Sequence, residues 1–105
     1  MSNVYISQQA IEDMNAIFHV LMTWQKGKLE ISHALRYVDD IENECYSIAF
    51  IPKHFSTTYI AHKQYGEKVH KYRRNANTTW YIIYNMDIQK NIFINKIISN
   101  YTTAK

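Results

Sequence analysis

The sequence predicts an α+β domain in which an antiparallel sheet packs against an N-terminal helix hairpin, in the order β-α-α-β-β-β. Two patterns predict it. Apolar residues recur every three or four positions from Gln8 to about Pro52, and from about Lys68 the chain alternates every second residue. Length agrees, because 105 residues suit one core and a 47% hydrophobic composition with only 2 Gly and 1 Pro supplies the side chains to fill it. No internal repeat, linker or low-complexity tract divides the chain, so residues 1–105 are read as a single domain.

Asn3 to Ser7 reads as a short first strand, since Val4 and Ile6 alternate with Asn3 and Tyr5. Ser7 suits a helix N-cap, because its hydroxyl can accept a hydrogen bond from a first-turn N–H that has no other partner. Ala10, Ile11, Met14, Ile17, Phe18, Leu21 and Trp24 then form a wide apolar face on a helix over Gln8 to Trp24, with Gly27 as its stop. Ile31, Ala34, Leu35, Val38, Ile41, Cys45, Ile48 and Ala49 keep the same period on a second helix that Pro52 ends. The other face of that helix, with Glu30, Asp39, Asp40, Glu42, Asn43 and Glu44, reads as solvated. The short connection around Gly27 predicts that the two helices pack antiparallel.

A loop is expected from about Lys53 to Tyr65. Lys68 to Arg73, Thr78 to Met86 and Asn91 to Ile98 follow as β-rich stretches, joined by turns at Asn75-Ala76-Asn77 and at Asp87 to Lys90. On an ideal pleat Trp80, Ile82 and Tyr84 share one face, and Tyr81, Ile83 and Asn85 the other. In the last strand Ile92, Ile94, Lys96 and Ile98 alternate with Phe93, Asn95 and Ile97. One face of this meander lies on the helices.

The net charge of +3 hides two unlike halves. Residues 1–52 hold seven acids and three bases, a net of −4, whereas residues 53–105 hold nine bases and two acids, a net of +7. Clustered cations among aromatic residues are the footprint of a surface that meets a polyanion. Lys and Arg on a sheet also keep its edges from pairing with other chains, so charge alone leaves both roles open. The single Cys45 forms no internal disulfide, no signal peptide opens the chain, and no apolar run nears the roughly 18 residues of a spanning helix. These features point to a cytoplasmic protein with no membrane partner.

His54, His62 and His70 lie eight apart, a spacing that fits no helical metal pair, so no metal and no cofactor are expected. His62 and His70 titrate near neutral pH when exposed and suit either acid–base work or an ordinary solvated position. Cys45 lies on the apolar stripe of the second helix and reads as a small buried hydrophobe. No Ser-His-Asp spacing, Gly-rich phosphate loop or carboxylate pair is legible. Most of the nine Tyr and two Trp must fill the layer between helices and sheet, with Trp80 in the core or at a hairpin edge, while Tyr59 and Tyr65 lie in the basic loop as candidate contacts. Strand alternation sets Lys68, His70 and Tyr72 on one face and Val69, Lys71 and Arg73 on the other, so the basic cluster makes at most half a site on either side.

Ser7, Ala10, Asp13 and Ile17 in the pattern S-x-x-A-x-x-D-x-x-x-I open a resemblance that spans nearly the whole chain. Gly66, then Tyr72-Arg73, then Trp80-Tyr81-Ile82-Ile83-Tyr84, then Ile92-Phe93-Ile94-Asn95-Lys96-Ile97 extend it. In this order the chain resembles the RelE/ParE superfamily of toxins from type II toxin-antitoxin systems. The resemblance implies a toxin that arrests growth when freed from a cognate antitoxin, and it implies no small-molecule substrate. RelE-like members cut messenger RNA in the ribosome, while ParE-like members inhibit DNA gyrase, and fold alone does not choose between them.

Cleavage through a 2′-hydroxyl needs a base, cations for the crowded phosphorane and an acid for the leaving oxygen. The resemblance implies Arg73, Lys71, His70 and Tyr101 as candidate catalytic residues, with Lys63, Lys68, Arg74 and Tyr65 as nucleic-acid contacts. Arg73 stands where the family has its mid-sheet arginine. After the last strand the chain reads Ser99-Asn100-Tyr101-Thr102-Thr103, without the Arg or His that several of the nucleases carry there. A bare nucleic-acid or protein-binding relative that kept the fold without toxicity is the other expectation.

Overall fold

The computed structural model describes residues 3–24 and 31–100. The expected turn at Gly27 and the candidate residue Tyr101 lie outside the described residues. Strand β1 (Val4–Ile6) leads into helix α1 (Gln8–Trp24), and α2 (Ile31–Ser47) runs on into a 3₁₀ turn at Ile48–Phe50. Strand β2 (Phe55–Ser56) and the one-turn helix α3 (Ile60–Lys63) then precede the meander of β3 (Lys68–Arg73), β4 (Thr79–Met86) and β5 (Ile92–Ser99). No helix among the described residues is long and apolar enough to cross a membrane.

The fold is α+β, as expected, but its sheet is mixed. The five strands stand in the order β1-β5-β4-β3-β2, and β1 pairs parallel with β5 while the other pairs are antiparallel. No tight turn joins β1 to β5, so nothing forces the antiparallel direction that a hairpin imposes. The expected loop from Lys53 also departs from expectation, because β2 and α3 form within it.

The opening motif turns out to organise the junction between α1 and the sheet edge. Ser7 Oγ accepts from the Ala10 N–H at 3.1 Å and Ser7 O from Ile11 N at 3.0 Å, which makes Ser7 the N-cap. Ala10 is fully buried, so the first turn of α1 packs closely. Beyond Ile94, β5 has no β1 residue beside it, and Asp13 takes over: its Oδ2 accepts from Ile97 N at 2.9 Å and its Oδ1 from Lys96 Nζ at 3.0 Å.

Helix α2 ends earlier than its apolar period implied. Ser47 Oγ donates to Glu44 O at 2.7 Å, and the chain tightens into the 3₁₀ turn five residues before Pro52. The helix side of the sheet buries Ile82, Tyr84, Ile92, Ile94 and Ile97 against Ala10, Met14, Ile41, Cys45 and Ile48. Burying each large side chain contributes roughly 1.5 to 3 kcal/mol.

A second, smaller cluster of Val69, Tyr81, Ile83 and Ile98, with Tyr65 packed on it, lies on the outer side of the sheet. The expected alternation in β5 fails at one point. Tyr84 pairs with Ile94 but Ile83 with Lys96, which leaves Asn95 as an extra residue. This bulge reverses the parity, so Ile97 joins the helix-side core with Ile92 and Ile94, while Ile98 turns to the outer face.

Candidate nucleic-acid interface on the outer sheet face

Strand β3 divides the basic cluster as its alternation requires, and acids of α2 engage two of its members, His70 and Arg74, on the helix side. His70 Nε2 lies 2.7 Å from Glu44 Oε2. Arg74, just past the strand end, forms an ion pair with Asp40, donates to Tyr72 Oη at 3.0 Å and stacks its guanidinium 4.3 Å from the centre of the Tyr37 ring. Tyr37 Oη in turn accepts from Trp80 Nε1 at 3.0 Å. The face of α2 expected to be solvated is therefore partly a clamp on β3, with Asp40 and Glu44 as its two teeth.

Lys68, of the same parity as His70, is half-buried and pairs in register with Tyr84. Close by, His54 Nδ1 and Tyr84 Oη share a hydrogen bond of 2.6 Å. Burial, then the positive charges of Lys90 and Lys68, hold His54 below its ordinary pKa, and burial pushes Tyr84 up to about 12. The pair is accordingly a neutral hydrogen bond that ties the 3₁₀-to-β2 connection to the centre of the sheet.

Lys71 and Arg73 remain on the outer face. Both are exposed, and among the described residues neither has a carboxylate partner. Lys71 Nζ sits 6.0 Å from the centre of the Tyr81 ring, and Arg73 Nε donates to Asn75 O at 3.4 Å. Tyr59 and His62 from the α3 segment complete a cluster of rings over the same strand. The Tyr59 ring stands 5.1 Å from His62 and 6.0 Å from Tyr81, and His62 lies 4.9 Å from Tyr81. Burial, helped by the nearby Tyr59 hydroxyl, raises the Tyr81 phenol, so Tyr81 stays protonated at neutral pH. Desolvation, reinforced by Lys71, lowers His62 and keeps its imidazole neutral there.

Of the other expected contacts, Tyr65 packs on the outer cluster beneath Lys96, whose Nζ lies 5.3 Å from its ring centre, and Tyr65 O accepts from Asn95 Nδ2 at 2.8 Å. Lys63 is exposed on α3. Farther along the same face Tyr5 and Phe93 stack with ring centres 5.3 Å apart and planes 16° from parallel, both partly exposed. Lys71, Arg73 and Tyr65 thus lie on the outer face and Lys63 is exposed on α3, whereas His70, Lys68 and Arg74 lie on the helix side. Sequence reasoning did not select Tyr81 or the buried His62 as site residues. The alternation of β4 carried the signal for Tyr81, while nothing local marks His62 as buried.

Two exposed cations without a carboxylate partner among the described residues, and the exposed Tyr59 ring beside them, equip this face to bind a polyanion, while His62 and Tyr81 lie buried beneath. Among the described residues no three His, Cys, Asp or Glu side chains stand together as metal ligands. Set against protein-family models, curated proteins and solved structures, the chain matches none of them.

Proposed function

We propose that this chain is the toxin of a type II toxin-antitoxin pair of the RelE/ParE kind, which acts in the cytoplasm by cutting messenger RNA in the ribosome. One observation carries the reading: α2 acids engage His70 and Arg74 on the helix side of the sheet, whereas on the outer face Lys71, beside the Tyr81 ring, and Arg73 are exposed and have no carboxylate partner among the described residues. A surface of that chemistry suits the phosphates and bases of a single strand. In this reading Arg73 and Lys71 stabilise the phosphorane, and the fold is the β-α-α-β-β-β arrangement of the superfamily with β2 and α3 inserted. An antitoxin silences the chain by covering this face, its acids complementing the net +7 of residues 53–105.

A second reading, inhibition of DNA gyrase, is favoured by the absence of Arg or His in residues 99–103. Mapping transcript ends after induced expression separates the two. Cuts in translated messages that vanish in Arg73→Ala support the ribonuclease. Intact messages with trapped gyrase–DNA breaks refute it in favour of the gyrase reading, and unaffected growth at high soluble level refutes both.

A further inference from the structure

His62 is the sole buried side chain of α3 and its flanks. Thr58, Tyr59, Ile60, Ala61, Lys63 and Gln64 are all exposed, Ile60 to 86%, whereas His62 is 0% exposed. Among the described residues neither of its ring nitrogens has a hydrogen-bond partner. An imidazole so placed must leave an N–H unsatisfied, a cost that native interiors rarely carry without a use.

The ends of this segment are held independently of it. On one side Thr57 N donates to Glu67 O at 2.9 Å and Thr57 Oγ1 to Gly66 O at 3.1 Å, and on the other Tyr65 O accepts from Asn95 Nδ2 at 2.8 Å. Between these anchors the chain touches the sheet through Tyr59 and His62 against Tyr81. The groups that face His62 are Tyr59 from its own segment, Tyr81 from β4 and Lys71 from β3, and among the described residues none is a carboxylate. A proton on the ring would therefore place a buried cation beside a second cation, with only ring faces to receive it.

We propose that residues 58–64 form a proton-released flap, which His62 latches over the outer sheet face and whose opening bares Tyr81 beside Lys71. The neutral ring packs against the two phenols, while the imidazolium is better solvated outside, so acid favours the open form. This device stands whether or not the surface beneath it serves a toxin.

The sign follows from linkage. His62 is held below its ordinary value in the closed form, so closure is fully stable above about pH 6.5 and weakens as the pH falls through that value toward the lowered one. The closed-to-open ratio should fall by up to about tenfold per pH unit across that window.

Hydrogen exchange on the intact protein tests it, read as protection factors at the amides of His62, Lys63 and Tyr65, which donate to Tyr59 O, Tyr59 O and His62 O. The expected result is protection that drops several-fold between pH 7 and 5.5 at these amides and stays constant in β4, with the drop abolished in His62→Phe. Flat protection in the wild type, or the same slope in His62→Phe, overturns the proposal. Should that variant not fold, NMR titration of the wild-type His62 ring decides: a midpoint below 6.5 supports the latch, and one at or above 6.5 overturns it.

Discussion

Asp13→Ala removes the group that closes the open edge of β5. In the native fold one carboxylate serves three donors: Ile97 N at 2.9 Å, Lys96 Nζ at 3.0 Å and Gln9 Nε2 at 3.0 Å. Its side chain is only 11% exposed, and that of Lys96 is 21% exposed, so water replaces these bonds poorly. Leaving the Ile97 N–H without a partner costs about 1 to 3 kcal/mol, and the charge-assisted bond to Lys96 adds a comparable amount before overlap between the two is counted.

The expected loss is about 2 to 4 kcal/mol, a large share of the roughly 5 to 15 kcal/mol that holds a domain of this size. At roughly 4 to 8 °C per kcal/mol, the melting temperature should drop by at least about 8 °C. Asp13→Asn keeps a carbonyl oxygen for Ile97 but sets a donating amide where Oδ1 accepted from Lys96 and Gln9, so it should lose less than Asp13→Ala, about 1 to 2 kcal/mol. Urea unfolding of the three proteins reads this directly through the midpoint at constant slope. An Asp13→Ala protein within 0.5 kcal/mol of wild type, or one no weaker than Asp13→Asn, would show that the β5 edge does not depend on this carboxylate.

Three further outcomes follow from the packing. Gly66→Ala places a Cβ 2.9 Å from Tyr84 O and 3.1 Å from Ile83 Cγ2, and because β4 is central the clash should cost about 1 to 3 kcal/mol; a melting temperature equal to wild type contradicts it. Burial, with Glu42 and Glu44 adding to it, pushes the Cys45 thiol up to about 12, so an aromatic disulfide reagent at pH 8 should label the denatured chain and spare the native one; rapid native labelling would show that α2 opens. His54, like His62, is held below its ordinary value, so the stability each contributes is present above about pH 6.5 and declines as the pH falls below it. Urea midpoints should therefore drop from pH 7 to pH 5, and a flat profile would contradict both burial assignments.

Local signals made the helices legible and long-range pairing hid the rest. The boundaries of α1 follow from Ser7 and the three-and-four spacing, because a cap and an apolar stripe lie within one stretch of chain. The early end of α2 depends on a Ser47 hydroxyl that periodicity does not register. In β5 the alternation holds as far as Ile94, but the bulge at Asn95 depends on how β4 pairs with it, and one extra residue exchanges the faces of Ile97 and Ile98.

The site shows the same division. Parity alone separated His70 from Lys71 and Arg73, as the structure has it. That Asp40 and Glu44 would engage Arg74 and His70 depends on contacts 34 and 26 residues apart, which no pattern within α2 announces. His62 illustrates the limit most sharply. A histidine in a polar loop reads as solvated, and its burial arises only when α3 folds back on Tyr81.

The central claim is that the unpaired cations of the outer face, and not those clamped by α2, carry the activity. Plating efficiency after induced expression tests it most directly, with the wild type beside a Lys71→Ala, Arg73→Ala double variant matched for soluble level and melting temperature. Both side chains are exposed and have no acid partner among the described residues, so the variant should keep its stability to within about 0.5 kcal/mol. The account predicts arrest by the wild type and normal colony formation by the double variant. Colonies that grow normally under the wild type, or arrest that persists undiminished in the variant, would contradict it.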